Sequence, residues 1–231
     1  MCANYTPSAR DRLLEHFRIE PPPEDYAPEA FPGSLGPIIR RPDPKSPPGE
    51  MEAVNACFGM LPYWADPKLA RSTYNARSET VATKPSFRHA WRHQQFCVIP
   101  VDSFYEPNYE TGTAVRWKIA HADGQPLGLA GIWESRSGGA DGRPLMSFSM
   151  LTVNADGDPL MDRFHKPGDE KRSVVILHPD DYESWLHAPL EQASRFLQRY
   201  PAHLLSAAPA PLHRAASRAV REDHPPEPSL F

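Results

Sequence analysis

At 231 residues the chain is long enough for one sizeable domain with a proper buried core, and no apolar run approaches the roughly eighteen residues of a membrane-spanning helix. Three cysteines, Cys2, Cys57 and Cys97, are too few and odd in number for a disulfide framework, and no apolar stretch follows Met1 as a secretory signal requires. The expected setting is therefore cytoplasmic and disulfide-free, and a net charge of −4 rules out the overall basic excess common in nucleic-acid binders, so any such surface must be local.

Cys2 directly follows the initiator. Removal of Met1 would leave one residue carrying both a free α-amine and a thiol. The amine, with a reference pKa of roughly 7.7–8.0, can attack a carbonyl to form a Schiff base, and the thiol can close onto the imine carbon to give a thiazolidine. For an arbitrary Met-Cys chain the cysteine is more often incidental, so the rest of the sequence must decide. Thr6 and Pro7 read as an N-cap and first helical position, predicting a short helix that begins five residues after Cys2 and sets Leu13, Leu14 and Phe17 on one face. Residues 19–50 are dense in proline and acid, with an extended piece at 37–40, and predict a long excursion over the surface. The chain's 28 prolines argue against a helical bundle.

An apolar segment at 58–64 (FGMLPYW) leads into residues 71–95, where Arg71, Arg77, Lys84, Arg88 and Arg92 face Glu79 alone, a local excess of four positive charges. A solvated face explains that patch about as well as a phosphate track. Within it, Asn75 can orient a substrate or the N-terminus, because an amide both donates and accepts without titrating; an Asx turn is the alternative. From residue 95 the pattern turns to strands at 96–99, 114–120, 127–133, 146–153 and 173–177. Residues 115–119 alternate, with Val115, Trp117 and Ile119 on one face and Arg116 and Lys118 on the other. Turn signals at 110–112, 122–124 and 137–139 suggest successive hairpins. After the strand expected to end near Val101, Glu106 sits among aromatics and suits a general acid or base, or else a salt-bridged edge. His165, in the loop segment 162–167, suits proton transfer near neutral pH, or is simply solvated. No Cys-x-x-Cys or His-x-x-x-His spacing supports a metal, and no cofactor is called for. Beyond Pro179, Leu190, Ala193, Phe196, Leu197 and Tyr200 keep helical spacing, and residues 221–231 read as a disordered tail.

Taken together, Met1-Cys2, residues 58–64, 75–80 (NARSET) and 97–106 (CVIPVDSFYE), Thr152, His165 and 217–220 (SRAV) resemble the SRAP (SOS-response-associated peptidase) family over nearly the whole chain, to about residue 220. The resemblance implies covalent reaction with abasic sites in single-stranded DNA. Cys2 would be the nucleophile, Asn75 would hold it and the opened sugar, Glu106 would assist imine formation, and His165 would open the sugar and promote strand cleavage or crosslink reversal. Arg77 would contact phosphate and Trp64 would stack on or wedge beside a base, with core packing as the equal alternative for Trp64. Thr152 is a weaker phosphate candidate, and Lys84 and Arg88 extend the track. The chain departs from the family at Ala3 and Asn4, where Gly-Arg is usual. It departs again at Phe58, Ser103 and Pro107, and in residues 166–172, inserted after His165, where Lys166 or Arg172 stands in for a phosphate-binding arginine.

The chemistry agrees with the resemblance on its own terms. An abasic site equilibrates with an open-chain aldehyde, and an amine–thiol pair traps aldehydes as rings, shielding the sugar from β-elimination. The expected protein is a monomer, associated with the nucleoid in a bacterium, that binds single-stranded DNA and crosslinks abasic sites through Cys2, with peptidase activity amounting to Met1 removal. An N-terminal-cysteine amidohydrolase and a non-covalent single-strand-binding module are the rivals. The expected fold is α+β: a single domain, residues 1–220, with a mainly antiparallel, barrel-like β core and flanking helices.

Overall fold

The computed structural model describes residues 2–43, 46–137, 142 and 144–212. Its elements run β1 (Tyr5–Pro7), α1 (Arg10–Glu15), β2 (Leu35–Arg40), β3 (Glu52–Phe58), β4 (Asn75–Arg77), α2 (Arg88–Arg92), β5 (Phe96–Asn108) and β6 (Val115–His121). There follow β7 (Leu127–Arg136), β8 (Leu145–Asn154), β9 (Arg172–Val174), β10 (Ile176–Leu177), α3 (Tyr182–Leu186), α4 (Leu190–Ala193) and β11 (Leu205–Pro209). Five strands close on themselves: β5 pairs with β7, β7 with β8, β8 with β3, β3 with β2, and β2 back to β5. Closure removes the exposed edges that an open sheet would present. All of these pairings are antiparallel except β3 with β8.

Alternation along the barrel strands divides the core in two. Ile38, Cys97, Ile99, Leu129, Phe148 and Met150 point into the barrel. Their neighbours Ile39, Val98, Ala130 and Leu151 point outward, beneath Trp91, Trp185 and Leu186 of α2 and α3. Gly131 lets the walls approach: a Cβ there would sit 2.7 Å from Ile99 Cδ1 and 2.9 Å from Cys97 Sγ. Trp185, fully buried, stacks on Phe96 with centroids 4.3 Å apart and donates its indole N–H to the Cys97 carbonyl at 2.9 Å. Truncating such a ring to alanine typically costs about 3–5 kcal/mol.

The α+β, barrel-like architecture is the one expected, but several elements differ. Thr6 and Pro7 lie in β1, paired to β5, and the helix starts three residues later at Arg10. Proline can occupy a short edge strand, where its missing N–H faces away from the ladder. Residues 35–40 are not part of a surface excursion: β2 is a barrel stave with Ile38 and Ile39 buried. Strands β3 and β11 were not anticipated, since neither alternates in the sequence. The strand from Phe96 continues past Val101 to Asn108, because its first half pairs with β7 and its second with β6. Hence β5–β6 and β7–β8 are hairpins, whereas β6 and β7 are not paired to each other. The helical spacing after residue 190 is broken into α4 and a 3-10 turn. The expected tail and residues 217–220 lie outside the described residues.

Candidate functional site

The site assembles where the N-terminal strand meets the second half of β5. The Tyr105 N–H donates to the Asn4 carbonyl at 2.9 Å, extending the β1–β5 ladder toward the terminus and drawing Cys2 in beside Glu106. From the opposite side, β4 runs parallel to β8 with Asn75 opposite Met150. That register aims the Asn75 side-chain amide at the Cys2 carbonyl, which accepts from Nδ2 at 2.8 Å. His165 arrives from the segment before β9, its backbone N–H donating to the Pro107 carbonyl at 2.9 Å. Its Nε2 then lies 3.1 Å from Glu106 Oε2. The four residues singled out as catalytic candidates are therefore gathered into one cluster, and all four are buried.

Burial governs the electrostatics. The Cys2 thiol is pushed up to about 12, first by desolvation and then by the nearby Glu106 carboxylate. The thiol thus holds its proton at neutral pH, and Sγ lies 3.4 Å from the Asn4 carbonyl oxygen. Neither Asn75 Oδ1 nor either ring nitrogen of His165 makes a hydrogen bond among the described residues, so the approach of Nε2 to Glu106 is an electrostatic contact. The cluster accordingly offers a held nucleophilic residue, an open amide acceptor and a carboxylate–imidazole pair, a set suited to adding an amine to a carbonyl and moving the protons that follow. Among the described residues no group of His, Cys, Asp and Glu is arranged to hold a metal ion.

A family model described as SOS response associated peptidase (SRAP) matches residues 1–213. The chain belongs to the SRAP family. It is similar to the abasic site processing protein YoqW of Bacillus subtilis, 32% identical over 132 residues that cover 56% of this chain and 55% of that one. It is also similar to the abasic site processing protein HMCES of Gallus gallus, 24% identical over 72% of this chain and 56% of that one. The chain thus spans about half the length of the curated relatives it matches. A crystal structure of a protein from Bordetella bronchiseptica superposes with a TM-score of 0.81 at 40% identity, covering 91% of this chain and all of that one. One from Bacteroides thetaiotaomicron, at 21% identity and a TM-score of 0.74 over 89% of this chain and 90% of that one, shares the fold.

One position at which this SRAP chain was expected to depart from its family pattern lies beside the cluster. Asn4 there is bound to a cation of β6: Asn4 Oδ1 accepts from Nε and Nη2 of Arg116 at 2.9 and 2.6 Å. The Arg116 guanidinium also pairs with Glu29 and lies 3.3 Å above the Tyr105 ring centroid. Strand alternation assigned Arg116 to the polar face; only cross-strand register, invisible in the sequence, brings it to Asn4.

The residues expected to touch DNA lie at varied depths. Trp64 is 53% exposed and its neighbour Tyr63 81%, so Trp64 is not a core residue. Lys84 and Arg88 are exposed. Arg77 is half exposed and held by Glu170, its Nη1 2.8 Å from Oε2. Thr152 is buried, its hydroxyl accepting from Arg172 at 3.1 Å. Arg172 is itself buried in a two-pronged pair with Glu79 at 2.9 Å and a bond to Glu170 at 2.8 Å. Thr152 and Arg172 are thus both turned into the protein rather than toward solvent. Lys166 remains exposed.

Proposed function

We propose that this protein captures abasic sites in single-stranded DNA through Cys2 once Met1 has been removed. The hydrogen bond from Asn75 to the Cys2 carbonyl, with the Glu106–His165 pair beside it, is the observation that carries the reading. Relatives named as abasic site processing proteins support the same substrate. In this reading the α-amine of Cys2 adds to the open-chain aldehyde, and loss of water gives an imine. The thiol then adds to the imine carbon while its proton passes to nitrogen, so aldehyde plus cysteine yields thiazolidine plus one water. Because burial keeps the thiol protonated, the amine attacks first and ring closure needs a local base. Glu106 takes that role, and His165 protonates the ring oxygen as the sugar opens. Arg77, Lys84 and Arg88 would track the backbone and Trp64 would take a base.

The test is incubation of Met1-processed protein with a single-stranded oligonucleotide carrying one abasic site, read by denaturing electrophoresis and intact mass. A heat-stable adduct that requires Cys2 is expected. No adduct, or one that survives Cys2→Ala, overturns the reading, and turnover of small amides without DNA would favour an N-terminal-cysteine hydrolase.

A further inference from the structure

His165 holds a left-handed backbone, with φ of 68°, a conformation uncommon for any residue but glycine. Such a conformation persists only where the surroundings over-determine it. One restraint is the His165 N–H bond to Pro107, and a second comes from outside the site. Lys171 extends its ammonium back over the loop and donates to the Phe164 carbonyl at 2.8 Å and the His165 carbonyl at 3.3 Å. Lys171 is itself fixed at both ends of its peptide: its N–H donates to Asp156 Oδ1 at 3.0 Å, and its carbonyl accepts from the Ala155 N–H at 2.8 Å. A side chain anchored to the end of β8 thus grips the two carbonyls that flank the His165 Cα. An ammonium has three donors and no acceptor, which suits it to two carbonyls at once.

We infer that Lys171 is a positioning residue that sets the His165 backbone so that the imidazole faces Glu106. The inference rests on the reading of His165 as the proton-transfer group, and it assigns a task to the segment 166–172 that departs from the family pattern. Lys171 touches no reacting atom in this scheme. Displacement of a catalytic group by about 1 Å can cost about 100-fold in rate, so loss of the grip is read most sensitively in the step that His165 serves.

The experiment compares wild type with Lys171→Met and Lys171→Arg, each freed of Met1. Lys171→Met is expected to speed amide hydrogen exchange at His165 by about 10-fold or more while β5 amides keep their protection. It is expected to slow adduct formation at an abasic site, which begins with the sugar opening that His165 serves, by a similar factor, to leave affinity for intact single-stranded DNA unchanged, and to have no further effect in a His165→Gln background. Lys171→Arg, which keeps a donor of similar reach, is expected to restore both readouts. Unchanged exchange at His165 in Lys171→Met overturns the inference, as does a loss of DNA affinity without a slower His165 step, which would make Lys171 a phosphate contact. If wild type forms no Cys2-dependent adduct, the proposed function fails, and the exchange measurement still decides whether Lys171 holds His165.

Discussion

Under the proposed function Cys2 answers to two demands, since a thiol that is fully buried would still have to reach a substrate carbon. Burial beside Glu106 raises its pKa from 9.0 to about 12, and that shift has a stability consequence of fixed sign. An unfolded thiol ionises near 9, whereas the folded one keeps its proton toward 12, so between those values the native state binds more protons and stability falls as pH rises. Below pH 9 the group contributes no pH dependence. The slope from this group is about 1.4 kcal/mol per pH unit, and Cys2→Ser removes it. Urea unfolding at pH 8 and pH 10 is expected to show wild type losing about 1 kcal/mol more than Cys2→Ser; equal losses would show that the thiol ionises normally in the fold. The chemistry separates along the same line. Cys2→Ala keeps the amine and loses the thiol, so it is expected to lose the heat-stable adduct yet give one trapped by borohydride, because an imine forms but no ring closes on it.

At the level of elements, β5 explains both what the sequence disclosed and what it concealed. The residues of the candidate cluster, Cys2, Asn75, Glu106 and His165, were legible because each is a reactive or orienting type at a fixed place in a recognised set of motifs. The extent of the element that carries Glu106 was not legible: the strand was expected to end near Val101, whereas pairing with β6 continues it to Asn108. Likewise β2 hid among prolines, and the helical period after residue 190 did not reveal that α4 gives way to a 3-10 turn at Ser194–Phe196. The ion network around β9 was hidden for another reason: Glu79 and Arg172 are 93 positions apart in the chain and meet only through β8. Arg172 is almost wholly buried, so truncating it leaves Glu79 without its cation and Glu170 with Arg77 alone. Because Glu79 and Glu170 are 50% and 37% exposed and stay hydrated, Arg172→Ala is expected to cost about 1–3 kcal/mol of stability in a denaturant titration, from lost hydrogen bonds and packing; a loss within about 0.5 kcal/mol would mean that water replaces the guanidinium freely. Glu170, by contrast, is partly exposed and holds Arg77. Glu170→Gln is therefore expected to tighten single-stranded DNA binding several-fold at low salt, and to do nothing in an Arg77→Ala background.

Across the whole molecule, a net charge of −4 supplies no overall attraction to DNA, so the proposed binding rests on a few cations and on stacking, and the two contributions respond differently to salt. Phosphate contacts to a single strand lower log K with log salt at roughly 0.7 per contact. If Arg77, Lys84 and Arg88 each meet one phosphate, the slope is roughly −2. Stacking carries no counterion release. Trp64 belongs to a loop fixed from below, where Arg136 donates to the Ala65 carbonyl at 2.6 Å and Asp66 caps the 3-10 helix at Pro67–Arg71, so its half-exposed ring is presented on a firm base rather than a loose one. Trp64→Ala is accordingly expected to weaken single-stranded DNA binding by about 1–3 kcal/mol, with the salt slope and the melting temperature unchanged. Arg77→Ala is expected to flatten the slope by roughly 0.7. Fluorescence anisotropy over a series of salt concentrations checks both. A Trp64→Ala protein that binds as wild type does but melts lower would assign the ring to holding the loop, and the base would have to be sought elsewhere on the surface.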